Sequence, residues 1–175
     1  MTGTVHSPGP DVERQVLETA DRLVEAFGGG RVDEYFACFH PRATFVFYTT
    51  DRRLESTAEW RELWDSLERD EGFRVLECRS RRRRVQDLGK TAVFTHDVET
   101  RVSTSVTEES LHERETIVFA REKEGGWLAV HEHLSPPRKL KVSTSRPEGW
   151  SAPRRSSSRK RFRTCTGSPH RRGVL

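Results

Sequence analysis

Two titratable side chains stand in the middle of alternating apolar patterns, His96 and Glu132. Over residues 92–102, Ala92, Phe94, Val98 and Val102 share the strand face that carries His96. Over residues 128–134, Leu128, Val130 and Leu134 share the face that carries Glu132. A carboxyl or imidazole on such a face costs free energy unless it is hydrogen-bonded. Desolvation raises the pKa of the first and lowers that of the second, which suits a general acid/base pair. Arg114, on the strand between them, could stabilise negative charge developing on a substrate. These three residues also read as a purely structural network, in which Glu132 and His96 bond each other or Arg114.

Other candidates are of binding type. His131 and His133 alternate with Glu132 and project to the opposite face. A His-x-His on a strand can place two imidazoles on one metal ion, but no spacing singles out a third ligand from His112 or Asp97, so no metal site is expected. With His112, they read instead as ligand-binding or interface residues. Tyr48, Trp60 and Trp64 could form an aromatic wall for a flat organic ligand. Trp60 and Trp64, at i and i+4, also fit the core stripe of an amphipathic helix. Arg79 and the run 81–84 read as a solvated edge strand, or less simply as an anion site. There is no nucleotide-binding loop, GxSxG elbow or catalytic cysteine setting, and no cofactor is expected.

The elements that must position these groups follow from periodicity. Asp11 caps a first helix whose stripe is Val12, Val16, Leu23 and Phe27, ended by the glycines at 28–30. A second helix is expected over 31–39, stopped by His40-Pro41, and a strand over 43–48. Ser56 and Glu59 form a capping box for a third helix carrying Trp60, Leu63, Trp64 and Leu67, and Gly72 closes it. Antiparallel strands are expected over 73–86, 91–103, 111–121 and 127–134, with hairpin turns at 87–90 and 124–126. Helix, helix, strand, helix and four strands make an α+β domain in which a bent sheet wraps three helices around one core.

Charge divides the chain. Residues 138–175 hold twelve of the 31 Lys and Arg and one of the 27 acids, a net +11, which leaves 19 bases and 26 acids, net −7, in residues 1–137. The overall +4 therefore belongs to the tail, and the body offers no basic surface for nucleic acid. The expected organisation is a disordered N-terminus at 1–10, one domain at 11–137 and a basic disordered tail at 138–175. The three cysteines show no CxxC spacing and indicate a reducing, cytoplasmic setting. Residues 1–10 lack the apolar segment of a secretory signal, and no run approaches the ~18 apolar residues of a membrane span.

Local motifs add a resemblance. Phe39-His40-Pro41-Arg42-Ala43-Thr44-Phe45, Asp87-Leu88-Gly89-Lys90-Thr91-Ala92-Val93, Arg114-Glu115-Thr116-Ile117-Val118-Phe119 and Gly126-Trp127-Leu128-Ala129-Val130-His131-Glu132-His133-Leu134-Ser135 resemble the joins and closing hairpin of SnoaL-like proteins, a branch of the nuclear transport factor 2-like superfamily. The kinase association domain of calcium/calmodulin-dependent kinase ends in a similar strand. The resemblance spans residues 11–137 and implies a cone-shaped fold with a strongly bent mixed or antiparallel sheet. This superfold hosts binding modules, cyclases, isomerases, dehydratases and oligomerisation hubs. The ketosteroid isomerase branch has a tyrosine donor and two aspartates, and the first helix here has no tyrosine. The polyketide-cyclase branch has an aspartate base, whereas Asp97 lies on the more polar face of its strand. The expected function is binding of a small organic ligand by a homodimer. The alternatives are a cofactor-independent isomerase, cyclase or dehydratase using Glu132 and His96, and an adaptor that holds an anionic partner, nucleic acid included, through the tail.

Overall fold

The structure, a computed structural model, describes residues 10–136; the expected N-terminal segment and basic tail lie outside them. The order is α1 (Pro10–Gly28), α2 (Val32–Ala37), β1 (Phe39–Phe47), α3 (Thr57–Glu71), β2 (Arg74–Asp87), β3 (Thr91–Ser103), β4 (Glu108–Arg121) and β5 (Trp127–Ser135). The strands form one open mixed sheet in the order β1-β5-β4-β3-β2. Neighbours are antiparallel except β1, which runs parallel to β5. The helices cover one face of the sheet and fill it with Val16, Ala20, Leu23, Tyr35, Phe36, Trp60 and Trp64.

The helix ends follow local chemistry. The Ser56 side chain accepts the Glu59 N–H at 3.1 Å, and Gly72 takes the left-handed cap at φ 68°. Only half of the expected capping box forms. The Glu59 carboxylate takes the N–H of Glu55 and a 2.7 Å bond from Arg52, not the N–H of Ser56. A second difference concerns His40-Pro41. The expected helix over 31–39 ends earlier, at Ala37, and β1 begins at Phe39, so Pro41 lies inside a strand. Proline is tolerated there because β1 is an edge, and the register with β5 breaks between Phe39 and Thr44.

The third difference lies in β5. Its register against β4 shifts between Val118 and Phe119, where Phe119 pairs with Ala129 and Val118 with His131. The extra residue, Val130, reverses the alternation. Trp127 and Ala129 are the buried residues on the first half of the strand, while Leu128 and Val130 are only half-buried. Past the bulge, Glu132 turns to the helix side. The carboxylate thus faces the core as expected, but with Trp127 and Ala129 rather than with Leu128 and Val130.

The helix layer approaches the sheet closely at α1. A Cβ added at Gly28 would lie 2.8 Å from the backbone nitrogen of Cys78 in β2. Gly28→Ala must push α1 off the edge strand, and overpacking of this kind costs about 1–3 kcal/mol. We expect a lower urea midpoint for Gly28→Ala and almost none of that loss for a serine at the open position Gly125's neighbour Glu124, measured by circular dichroism.

Candidate functional site

The inner face of β3 presents Phe94, His96 and Val98, and that of β4 presents Glu113, Glu115, Ile117 and Phe119, all buried. His96 and Glu115 are direct partners in the β3–β4 register. The imidazole Nε2 meets Glu115 Oε2 in a short hydrogen bond, and Nδ1 lies 2.7 Å from the Ser80 hydroxyl on β2. Glu132 enters from β5. The Tyr35 hydroxyl, from α2, donates to Glu132 Oε2 at 3.2 Å and accepts the Trp60 indole N–H of α3 at 3.1 Å. The helices and four strands thus place six polar side chains, Ser80, His96, Glu115, Glu132, Tyr35 and Trp60, in one connected line inside the apolar cone.

The protonation pattern follows from this geometry. Burial pushes the His96 imidazole down to about 4, with the charge of Arg83 acting the same way and that of Glu132 opposing. A neutral imidazole therefore donates one N–H, and its contact with Glu115 is a hydrogen bond rather than an ion pair. Burial also pushes Glu115 up to about 7. Glu132 is held well above the carboxyl range, first by burial and then by the charge and hydrogen bond of Glu115. Two carboxyl groups this close in a dry setting do not both ionise, because a lone buried carboxylate costs several kcal/mol. Glu132 keeps the proton, and Glu115 accepts from it and from His96. Chemically, the line offers a neutral acid and a carboxylate base side by side.

The sheet splits the residues singled out in the sequence. His96, Glu132, Trp60 and Trp64 lie inside. Trp60 and Trp64 are core residues in an aromatic cluster with Tyr35, Phe36 and Phe73. Arg114, between the buried Glu113 and Glu115, points to the outer face, as does His133. His131 bonds the Thr44 hydroxyl at 2.8 Å, and its ring centre is 6.4 Å from that of His133. His112 is exposed, 3.9 Å from Glu99. Tyr48 is half-exposed at the end of β1; burial raises its phenol pKa, and so does its hydrogen bond with Glu113. Among the described residues no three His, Cys, Asp or Glu side chains group to hold a metal ion, and no helix is long and apolar enough to cross a membrane.

Sequence reasoning passed over Glu115 and Tyr35. Glu115 was detectable, because it shares parity with Ile117 and Phe119. Tyr35 gave only a helix-stripe signal, since nothing local shows that its hydroxyl meets a residue 97 positions away. Nor does the sequence reveal that the Trp64 indole N–H is buried without a partner, alone among the side-chain polar atoms of the described residues. An orphan donor of this kind costs about 1–3 kcal/mol.

The family is decided by the sequence profile of the SnoaL-like domain, which matches residues 16–139. The chain belongs to the SnoaL-like domain family. Solved structures of nuclear transport factor 2-like proteins share the fold of this SnoaL-like domain. A superfamily protein from Salmonella enterica serovar Typhimurium superposes with a TM-score of 0.63 at 17% identity, covering 78% of this chain and 98% of the other. The hub of calcium/calmodulin-dependent kinase II from S. rosetta gives 0.60 at 22% identity, covering 75% and 100%. ActVI-ORFA from Streptomyces coelicolor gives 0.59 at 12% identity, covering 72% and 97%. At these identities the likeness is one of fold. No curated protein sequence matches the chain.

The shared proton has a pH signature. A carboxyl whose folded pKa is raised contributes stability that is complete below its unfolded pKa and is lost as pH rises toward the folded one. Below neutrality Glu115 and His96 oppose each other, because the depressed imidazole loses stability as pH falls from about 6.5 to 4. Above pH 7 the remaining loss belongs to Glu132, whose carboxyl is held well above its ordinary range by burial. We expect wild-type stability to fall there by up to ~1.4 kcal/mol per pH unit, and Glu132→Gln, which mimics the protonated acid, to flatten the slope in urea titrations.

Proposed function

We propose that this SnoaL-like domain binds a small organic molecule inside its cone, with Glu132, Glu115 and His96 as the polar end of the site and the aromatic side chains of α2 and α3 as its wall. The buried line of hydrogen bonds ending on two carboxyls carries the reading. A core kept only for stability would favour apolar residues of similar volume, because a buried ionisable pair rarely repays its desolvation. A ligand that accepts from the unpartnered Trp64 indole would satisfy that donor beside the carboxyl pair. The test is a thermal-shift screen of hydrophobic ketones and acids against the wild type and Glu132→Gln. A compound that raises the wild-type melting temperature and leaves the variant unmoved supports the site. A panel in which every stabilising compound acts equally on both proteins refutes it.

The same arrangement supports a second reading, a cofactor-independent isomerase, cyclase or dehydratase. Glu115 ionises near neutrality beside an acid that stays protonated, so a proton can be taken and another returned at one place. Here Glu115 rather than Arg114 stands next to His96 and Glu132, and it is the base this reading assigns. Turnover of a bound ketone by wild type, lost in Glu115→Gln with binding retained, supports it.

Association of two copies through the outer sheet face completes the proposal. Val93, Val118 and Leu128 are half-buried apolar residues facing away from the helices; Val93 pairs with Val118 across β3 and β4, and Leu128 pairs with Ala120 across β5 and β4. Hub structures share the fold. Light scattering should return twice the chain mass for the wild type and a single chain for Val118→Arg; a monomeric wild type rejects the dimer.

A further inference from the structure

The outer face of the sheet carries a polar groove of about 450 Å³, large enough for a small organic molecule. Its residues stand in two rows fixed by strand register. Asp97 pairs with Arg114 and Arg114 with Ser135; Thr95 pairs with Thr116 and Thr116 with His133. The rows lie on the backs of the strands whose inner faces hold His96 and Glu115, and both of those residues also border the groove.

The edge strand is deformed to reach it. The β2–β3 register breaks between Arg81 and Arg84, and Arg82 adopts φ 50°, the one non-glycine residue with positive φ among the described residues. Such a conformation is unfavourable for a side chain as long as arginine, and bulges at sheet edges re-aim side chains. Here the bulge brings the Arg82 guanidinium onto Asp97 at the groove. Asp97 is thus engaged by Arg82, and because Glu115 also borders the groove, the lining sets two arginines against two carboxyl groups. Among the described residues Arg114 has no carboxylate within salt-bridge distance, while hydroxyls of Thr95 and Thr116 flank it along the second row.

We propose that this groove binds the carboxylate of a small organic acid, with Arg114 as its anchor and Arg82, fixed by Asp97, closing the edge. A free planar guanidinium matches a carboxylate with two parallel hydrogen bonds, the hydroxyls add donors, and the volume accommodates an organic body. With Asp97 and Glu115 in the same lining, a monocarboxylate is repelled less than a phosphate dianion. The groove borders the Val93, Val118 and Leu128 patch, so the acid would sit at the rim of a dimer and remain accessible there.

The full chain, titrated calorimetrically with sodium benzoate, benzamide and inorganic phosphate, provides the test. The expected result is saturable benzoate binding, at least tenfold weaker for neutral benzamide and for phosphate, and at least tenfold weaker for benzoate with Arg114→Gln. Circular dichroism should show that variant folded, and Arg82→Gly should keep the backbone turn yet weaken benzoate. Glu132→Gln should bind benzoate as the wild type does, which separates this groove from the interior site. Equal binding of benzoate and benzamide, tighter binding of phosphate, undiminished binding by folded Arg114→Gln, or no saturable binding at all would overturn the proposal.

Discussion

The cluster at the centre of the cone depends on one proton shared between Glu115 and Glu132. With that proton on Glu132, Glu115 accepts two hydrogen bonds, His96 stays neutral, and Tyr35 relays the Trp60 indole to the pair. Without it, two carboxylates would repel each other in an apolar interior where each already lacks water. The constraint reaches every layer. β3 and β4 must pair in the register that sets His96 against Glu115, β5 must bulge to turn Glu132 inward, and α2 must hold Tyr35 over the gap.

The sheet is therefore a partition with different chemistry on its two sides. Alternation along β4 sends Glu113, Glu115, Ile117 and Phe119 toward the helices and Arg114, Thr116 and Val118 away from them. A sequence search for titratable residues near one another cannot see this divide unless it tracks parity. Arg114 and Glu115 are neighbours in the chain, yet they stand on opposite faces of the sheet.

Much of the fold was legible because its signals are local. The helix caps at Ser56 and Gly72, the glycines after α1, the turns at 87–90 and 124–126 and the alternation of β3 each report on a few adjacent residues. What escaped was relational. Pro41 looks like a stop until β1 is known to be an edge. Val130 looks like an inward residue until its partner strand is one residue shorter at that point. His96 and Glu132 were visible as buried titratable groups, but the link between them, Glu115, becomes apparent only when β3, β4 and β5 are laid side by side.

The parallel pairing of β1 with β5 has a kinetic consequence. Phe39 meets Ala129, a separation of 129 − 39 = 90 positions, whereas every other strand pair joins consecutive strands through a hairpin. Closing so long a loop costs entropy before any contact rewards it. The meander β2-β3-β4-β5 can zip up locally, but β1 must wait for the last strand to leave the ribosome. Until then its aromatic edge, Phe39, Phe45 and Phe47, has no strand to join, and this interval is when the nascent chain is most open to pairing with a neighbour.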